Sequence, residues 1–116
     1  MLRTTLLLLL GIHGLIHLMG TSKAFSWAEV AALPKPISRS TGILWLLTAL
    51  LFGASAVILF QHQGHWWMPA ALGLLLSQAL ILGYGRAARI GSAANALILV
   101  AVVVGAASWN FRRAYR

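Results

Sequence analysis

The chain has 116 residues, of which 60% are hydrophobic, and its mean hydropathy is +0.87. Nine residues are Lys or Arg and one is acidic, so the formal net charge is +8. Soluble domains are about half apolar and about a quarter charged, so this composition favours an integral membrane protein over a soluble nucleic-acid-binding protein. The absence of cysteine excludes disulfides and thiolate metal sites.

Four apolar segments follow one another along the chain, and we predict helices over residues 4–20, 41–60, 66–84 and 90–109. At about 1.5 Å per residue, each segment covers most of a hydrocarbon core that is about 30 Å thick. Backbone groups inside lipid must satisfy one another, which only helices and closed barrels achieve. The first segment follows a basic N-terminus, as a secretory signal does. We interpret it as a retained helix, because no small-residue cleavage site follows it promptly.

The first connection, residues 21–40, contains the sequence pattern of a helix start. Ser26 and Glu29 have the spacing of a capping box, an apolar run follows them, and Pro34 ends it. These residues predict a short helix over 26–33 that lies in the membrane interface. On this interpretation the only acidic residue of the chain is a helix cap.

The other two connections, residues 61–65 and 85–89, are short and therefore predict antiparallel neighbours. The sequence thus predicts an all-α protein with one domain over residues 1–116. Its fold class is an integral membrane four-helix up-down bundle with a short interfacial helix between helices 1 and 2.

Polar residues inside the apolar segments fall at nearly one depth. His13 and His17 lie four residues apart on one helix face. Counted along the helix rise, His17, Thr48, Gln78 and Asn95 all lie about 18–20 Å from the side that holds the termini. Polar groups at such depth face the bundle interior and pair there. We therefore expect His13 and His17 to face Gln78, Asn95 and Thr48.

Several functions are compatible with this polar layer. It could be structural, with side chains that bond across helices and fix their packing. It could instead bind the polar head of a quinone, an isoprenoid or a lipid through His13, His17, Thr48, Gln78 and Asn95, since neutral polar groups suit such a head.

A metal or haem site through His13 and His17 is a further hypothesis, because the spacing suits two ligands, although no carboxylate or thiolate accompanies them. A small dual-topology transporter is less favoured, since the usual intramembrane acid is missing. The sequence offers no nucleophile and base that would indicate an enzyme.

Small residues recur on the last two apolar segments and permit close approach of helices. They are Gly73 and Ser77 on the third segment, and Gly91, Ala94, Ala101, Gly105 and Ser108 on the fourth. We interpret them as packing residues between helices 3 and 4. The alternative is an interface with a second copy or another membrane chain. That alternative suits an accessory subunit, because almost nothing of this chain lies outside the membrane.

Aromatic and basic residues near the segment ends are typical of interfacial anchors. They are Trp66, Trp67, Trp109, Arg112, Arg113 and Arg116. His62 and His65 are expected to be solvated loop residues. Positive charges divide almost evenly between the two sides, and only Arg3 and the arginine-rich tail favour cytoplasmic termini.

Three stretches, GIHGLIHLMGTSKAF, PKPISRSTGILWLL and GSAANALILVAVVVGAASW, resemble those of small bacterial four-helix inner-membrane proteins. In size and layout the chain is similar to the DoxX-like group. The resemblance implies a four-helix bundle in a bacterial inner membrane. It implies no catalytic or ligand-binding residue.

Overall fold

The computed structural model describes residues 2–26, 38–82 and 86–114. Within these ranges the chain forms four α-helices: α1 (Leu2–Ala24), α2 (Arg39–Phe60), α3 (Trp67–Ile81) and α4 (Arg86–Ala114). A single 3₁₀ turn, Gly64–Trp66, leads directly into α3. Three helices, α1, α2 and α4, are long and apolar enough to cross a membrane. The prediction of an all-helical chain with four main helices is confirmed.

The helices differ in length more than the apolar segments do. α4 has 29 residues and is about 43 Å long, so it extends beyond a hydrocarbon core of about 30 Å. α3 has only 15 residues and spans about 22 Å, and the preceding 3₁₀ turn adds about 6 Å. The observed bounds are therefore wider than predicted for α4 and narrower for α3.

Local hydrogen bonds set both ends of α2. Ser38 caps its start, since the side-chain oxygen accepts a hydrogen bond from the Thr41 amide at 3.2 Å. At its end His62 adopts a left-handed conformation with φ 60°. The amide of His62 donates to the Leu59 carbonyl, and the next amide donates to the Ile58 carbonyl. This is a Schellman motif, which satisfies the last carbonyls of the helix.

The predicted interfacial helix over 26–33 lies outside the described residues except for Ser26. Ser26 has φ 56°, and its amide donates to the Lys23 carbonyl at 3.1 Å. An N-cap has extended backbone angles, whereas Ser26 belongs to the turn that ends α1. The described part of the predicted capping box therefore terminates one helix.

Two sets of contacts establish the antiparallel order. At the start of α1, the Arg3 guanidinium donates to the carbonyls of Leu59 and Phe60 at 3.3 and 2.9 Å. The Gly64 Cα lies against Trp109 near the end of α4. The start of α1 and the ends of α2 and α4 therefore meet beside the 3₁₀ turn. We call this the arginine end of the bundle.

Two apolar clusters fill the interior. The larger lies toward the arginine end and includes Leu10, Phe52, Leu74 and Ile98. The smaller, around Trp45 and Ile81, lies toward the opposite end. Sequential helices pack on one another, whereas α1 and α4 share a smaller contact. His17 lies where the two clusters meet, since its ring packs on Phe52 of the larger cluster and on Trp45 of the smaller one.

Candidate functional site

One face of α1 directs both His13 and His17 into the interior of the bundle. His13 is 3% exposed and His17 is 1% exposed. They belong to a buried stripe at helical spacing that comprises Leu10, His13, Gly14, His17, Gly20 and Thr21. Large apolar residues on the other faces, such as Leu15, remain exposed. The imidazoles therefore face the interior of the bundle and not its outer surface.

Aromatic rings of α2 pack against the two imidazoles. The His13 and Phe52 ring centroids are 5.0 Å apart, and those of His17 and Trp45 are 5.3 Å apart. This approach requires Gly20, because a Cβ atom there would overlap the Trp45 ring. Gly14 and Gly20 therefore permit close packing of α1 on α2.

The hydrogen bonds of His17 define its tautomer. Its Nδ1 atom lies 2.8 Å from the His13 carbonyl oxygen, which only accepts, so Nδ1 carries the proton and donates. In the neutral imidazole the other nitrogen then accepts. Nε2 lies 2.7 Å from the Ser77 hydroxyl oxygen, so Ser77 donates to it.

His13 completes a closed circuit with Asn95. The His13 Nε2 atom lies 2.7 Å from the Asn95 side-chain oxygen and donates to it. The Asn95 side-chain nitrogen donates to the Ser77 hydroxyl at 3.0 Å. Hydrogen bonds thus run from His13 to Asn95, to Ser77, to His17 and back to the His13 carbonyl. We call these four side chains the polar ring.

The polar ring extends sideways toward the start of α4. The Asn95 nitrogen also donates to the Gln78 side-chain oxygen at 3.1 Å, and the Gln78 nitrogen donates to the Ser92 hydroxyl at 2.9 Å. Gln78 and Ser92 are half-buried. Gln78 therefore meets the histidines only through Asn95.

Thr48 lies at the expected depth but outside the ring. It is fully buried, yet its hydroxyl donates to the Leu44 carbonyl of its own helix at 2.8 Å. The expectation that Thr48 faces the histidines as a hydrogen-bonding group does not match this contact. The threonine hydroxyl satisfies itself locally, as is common inside helices.

Ser77 is the polar partner that the sequence did not single out as a binding residue. It is fully buried and contacts both His17 and Asn95. Ser92 was likewise missed. Their positions in the sequence could have indicated them. Ser77 directly precedes Gln78, and Ser92 lies one helical turn before Asn95 on the same face of α4.

The arrangement does not fit a shared metal ion or haem. Three of the four ring nitrogens of His13 and His17 are engaged by protein atoms. Within the described residues, no group of three His, Cys, Asp or Glu side chains could hold a metal ion. The side chains of the polar ring therefore already form hydrogen bonds with other protein atoms.

Two glycines of α4, Gly91 and Gly105, pack closely against other parts of the bundle. A Cβ atom on Gly91 would lie 2.6 Å from the Ile81 side chain, and one on Gly105 would lie 2.8 Å from the Trp66 indole. A Cβ atom on Gly73 of α3 would instead lie 3.2 Å from the Phe52 ring of α2. Ala94 and Ala101 are half-buried, whereas Ser108 is exposed.

The expected anchors occupy different environments at the arginine end. Trp66 is 8% exposed and belongs to the larger apolar cluster, so it is a core residue. Trp67 is half-buried, and its indole nitrogen has no hydrogen-bond partner among the described residues. Trp109 contacts the His65 ring and lies 5.8 Å beneath the Arg113 guanidinium. Arg116 lies outside the described residues.

No protein-family model, no curated protein and no solved structure matches this chain. The similarity to the DoxX-like group remains a prediction from its sequence and layout.

Proposed function

We propose that this chain is a small integral membrane protein with a structural role, as an accessory subunit of a membrane complex. The observation that carries the structural part is the closure of the polar ring. Its four buried side chains are linked in sequence without a charged group, and His17 closes the ring by donating to the His13 backbone carbonyl. Interhelical bonds of this kind contribute about 1 kcal/mol each, so their main effect is to select one helix register.

The accessory role is supported by the apolar outer surface of α4. Leu99 and Val103, one helical turn apart, are both more than half exposed. Such a surface suits lipid or the helix of another membrane chain. Since Gly91 and Gly105 face inward, a partner would contact larger side chains and not the small-residue stripe.

We place the protein in a bacterial inner membrane with both termini cytoplasmic. Arg3, Arg112 and Arg113 lie at the arginine end, and positive charge favours the cytoplasmic side. The chain contains no cysteine, so single-cysteine variants report sidedness cleanly. An impermeant maleimide should label Ser40→Cys in intact cells and spare Arg113→Cys until the membrane is opened. The reverse pattern would overturn the orientation.

The alternative is that His13 and His17 bind a lipophilic ligand, a metal ion or haem. Such binding would require groups of the polar ring to exchange a protein partner for a ligand. Native mass spectrometry, an optical spectrum and metal analysis on one gently solubilised sample separate the two functions. The structural proposal expects no cofactor. A quinone, haem or metal that disappears in the His13→Ala/His17→Ala double variant would overturn it.

Nitrogen NMR provides an independent test of the ring. With both histidines neutral, His17 should carry its proton on Nδ1, and His13 should carry its proton on Nε2. The Ser77→Ala variant should move the Nε2 resonance of His17 most. A His17 signal of the opposite tautomer would contradict the closed circuit.

The accessory role needs its own measurement. In native mass spectra of solubilised membranes, the chain should appear with one other membrane chain at fixed stoichiometry. The Val103→Trp variant, on the exposed α4 face, should weaken that assembly, whereas Leu8→Trp on the exposed face of α1 should not. A chain that remains monomeric in every mild detergent would contradict this role.

A further inference from the structure

Two surface depressions share Arg112 in their linings. The first has a volume of about 450 Å³ and runs between α1 and α4, with an apolar lining that includes Leu6, Leu9, Leu97 and Val104. The second has a volume of about 540 Å³ and lies beside the loop after α2, with His62, Trp109 and Arg113 in its lining. Arg112 therefore borders both the first depression, which we call the apolar slot, and the second, which we call the cationic slot.

The cationic slot is lined by Arg112 and Arg113, and none of the described side chains is acidic. The only acidic residue of the sequence is Glu29, which lies outside them. Arg112 is exposed, and one of its nitrogens donates to the Ser108 carbonyl at 3.4 Å. The guanidinium has further donors in a fixed planar fork, a geometry that matches a phosphate group.

The apolar slot is long enough to hold the acyl chain of a lipid. From Arg112 to Leu97 it follows α4 for about 22 Å, which exceeds the roughly 15 Å depth of one leaflet of the hydrocarbon core. It follows the seam where α1 and α4 share the smaller helix contact. A chain that lay there would cover apolar side chains of both helices.

From this arrangement we propose that the two depressions form a site for one anionic phospholipid, with an acyl chain between α1 and α4 and the phosphate at Arg112. The inference rests on the proposed membrane location. It goes beyond general anchoring by headgroups, because it names one site that holds one lipid through both ends. The polar ring takes no part in it.

The test uses the full chain in nanodiscs of equal phosphatidylglycerol and phosphatidylcholine. After release into mild detergent, native mass spectrometry counts the lipids that stay bound. We expect one phosphatidylglycerol per chain, retained about tenfold over phosphatidylcholine. Arg112→Gln should reduce that retention at least fivefold. Arg89→Gln, an exposed arginine near the opposite end of α4, should leave it unchanged.

A second pair of variants tests the apolar slot. Val104 lines the slot and Val103 does not, yet their exposures are nearly equal, at 60% and 59%. Val104→Trp should therefore lower retention, whereas Val103→Trp should not. Equal retention of both lipids, or equal effects within either pair of variants, would show annular contact and overturn the site. Because entry into nanodiscs reports membrane insertion, a chain that enters but shows no lipid preference would refute the lipid site alone.

Discussion

The chain contains two pairs of histidines whose surroundings are opposite. His13 and His17 are buried, and the polar ring uses three of their four ring nitrogens. His62 is exposed and His65 half-buried at the arginine end, beside Trp109. The same side chain thus serves internal packing in one region and borders an open slot in the other. The difference shows that the surroundings set by the tertiary structure, and not the residue type, decide which histidine nitrogens are engaged by other parts of the bundle.

The largest expected effect comes from opening the polar ring. Asn95→Leu removes the partner of His13, Ser77 and Gln78 and leaves buried donors and acceptors unpaired. We expect a loss of about 3 kcal/mol of unfolding free energy. Unfolding in mixed micelles with increasing SDS measures it. Leu97→Ala, on the exposed side of α4, should change stability far less, and equal losses would contradict a ring that holds the bundle together.

A smaller effect is expected where α1 approaches α2. In Gly20→Ala the new Cβ would overlap the Trp45 ring, and overpacking of this kind costs about 2 kcal/mol. Gly11→Ala is the matched control in the same helix, because a Cβ atom there would have no neighbour within 4 Å and alanine favours a helix. Thermal unfolding should separate the two variants. A Gly20→Ala protein as stable as Gly11→Ala would refute the close approach.

Thr48→Val should have a still smaller effect, of about 0.5 kcal/mol or less. The hydroxyl bonds only to a carbonyl of its own helix, and valine has nearly the same shape. Ser77→Ala, which breaks contacts to two other helices, should cost about 1 kcal/mol. Comparison of the two SDS midpoints is the test, and a larger loss for Thr48→Val would place Thr48 in the ring.

The smallest effect is expected at the arginine end. His62→Asn should change the free energy of unfolding by less than about 0.5 kcal/mol, because the side chain is exposed and asparagine tolerates the left-handed backbone. His62→Val should cost more than His62→Asn, since a β-branched residue is strained there. Equal stability of the two variants would refute the Schellman turn, and circular dichroism melts suffice to compare them.

The predictions succeeded for properties that depend only on position along the chain or along one helix axis. The helical character of the chain follows from apolar segments whose backbone has no other way to satisfy itself. The depth count also placed His17, Gln78 and Asn95 at nearly one level, because depth depends only on rise per residue. It failed to distinguish Thr48 from Ser77, since both lie near that depth and, of the two, Ser77 forms the hydrogen bond with an imidazole.

By itself the sequence determined how many helices form, how long the apolar segments are and which polar residues share a level. Only the tertiary structure decided how each helix is rotated about its axis. Apolar residues surround α2 and α3 almost evenly, so no amphipathic face indicates that rotation. Packing decided it: Gly20 beneath Trp45, Gly73 against Phe52, and Trp66 within the core. Those contacts direct Ser77 toward His17 and leave the Thr48 hydroxyl bonded to its own helix.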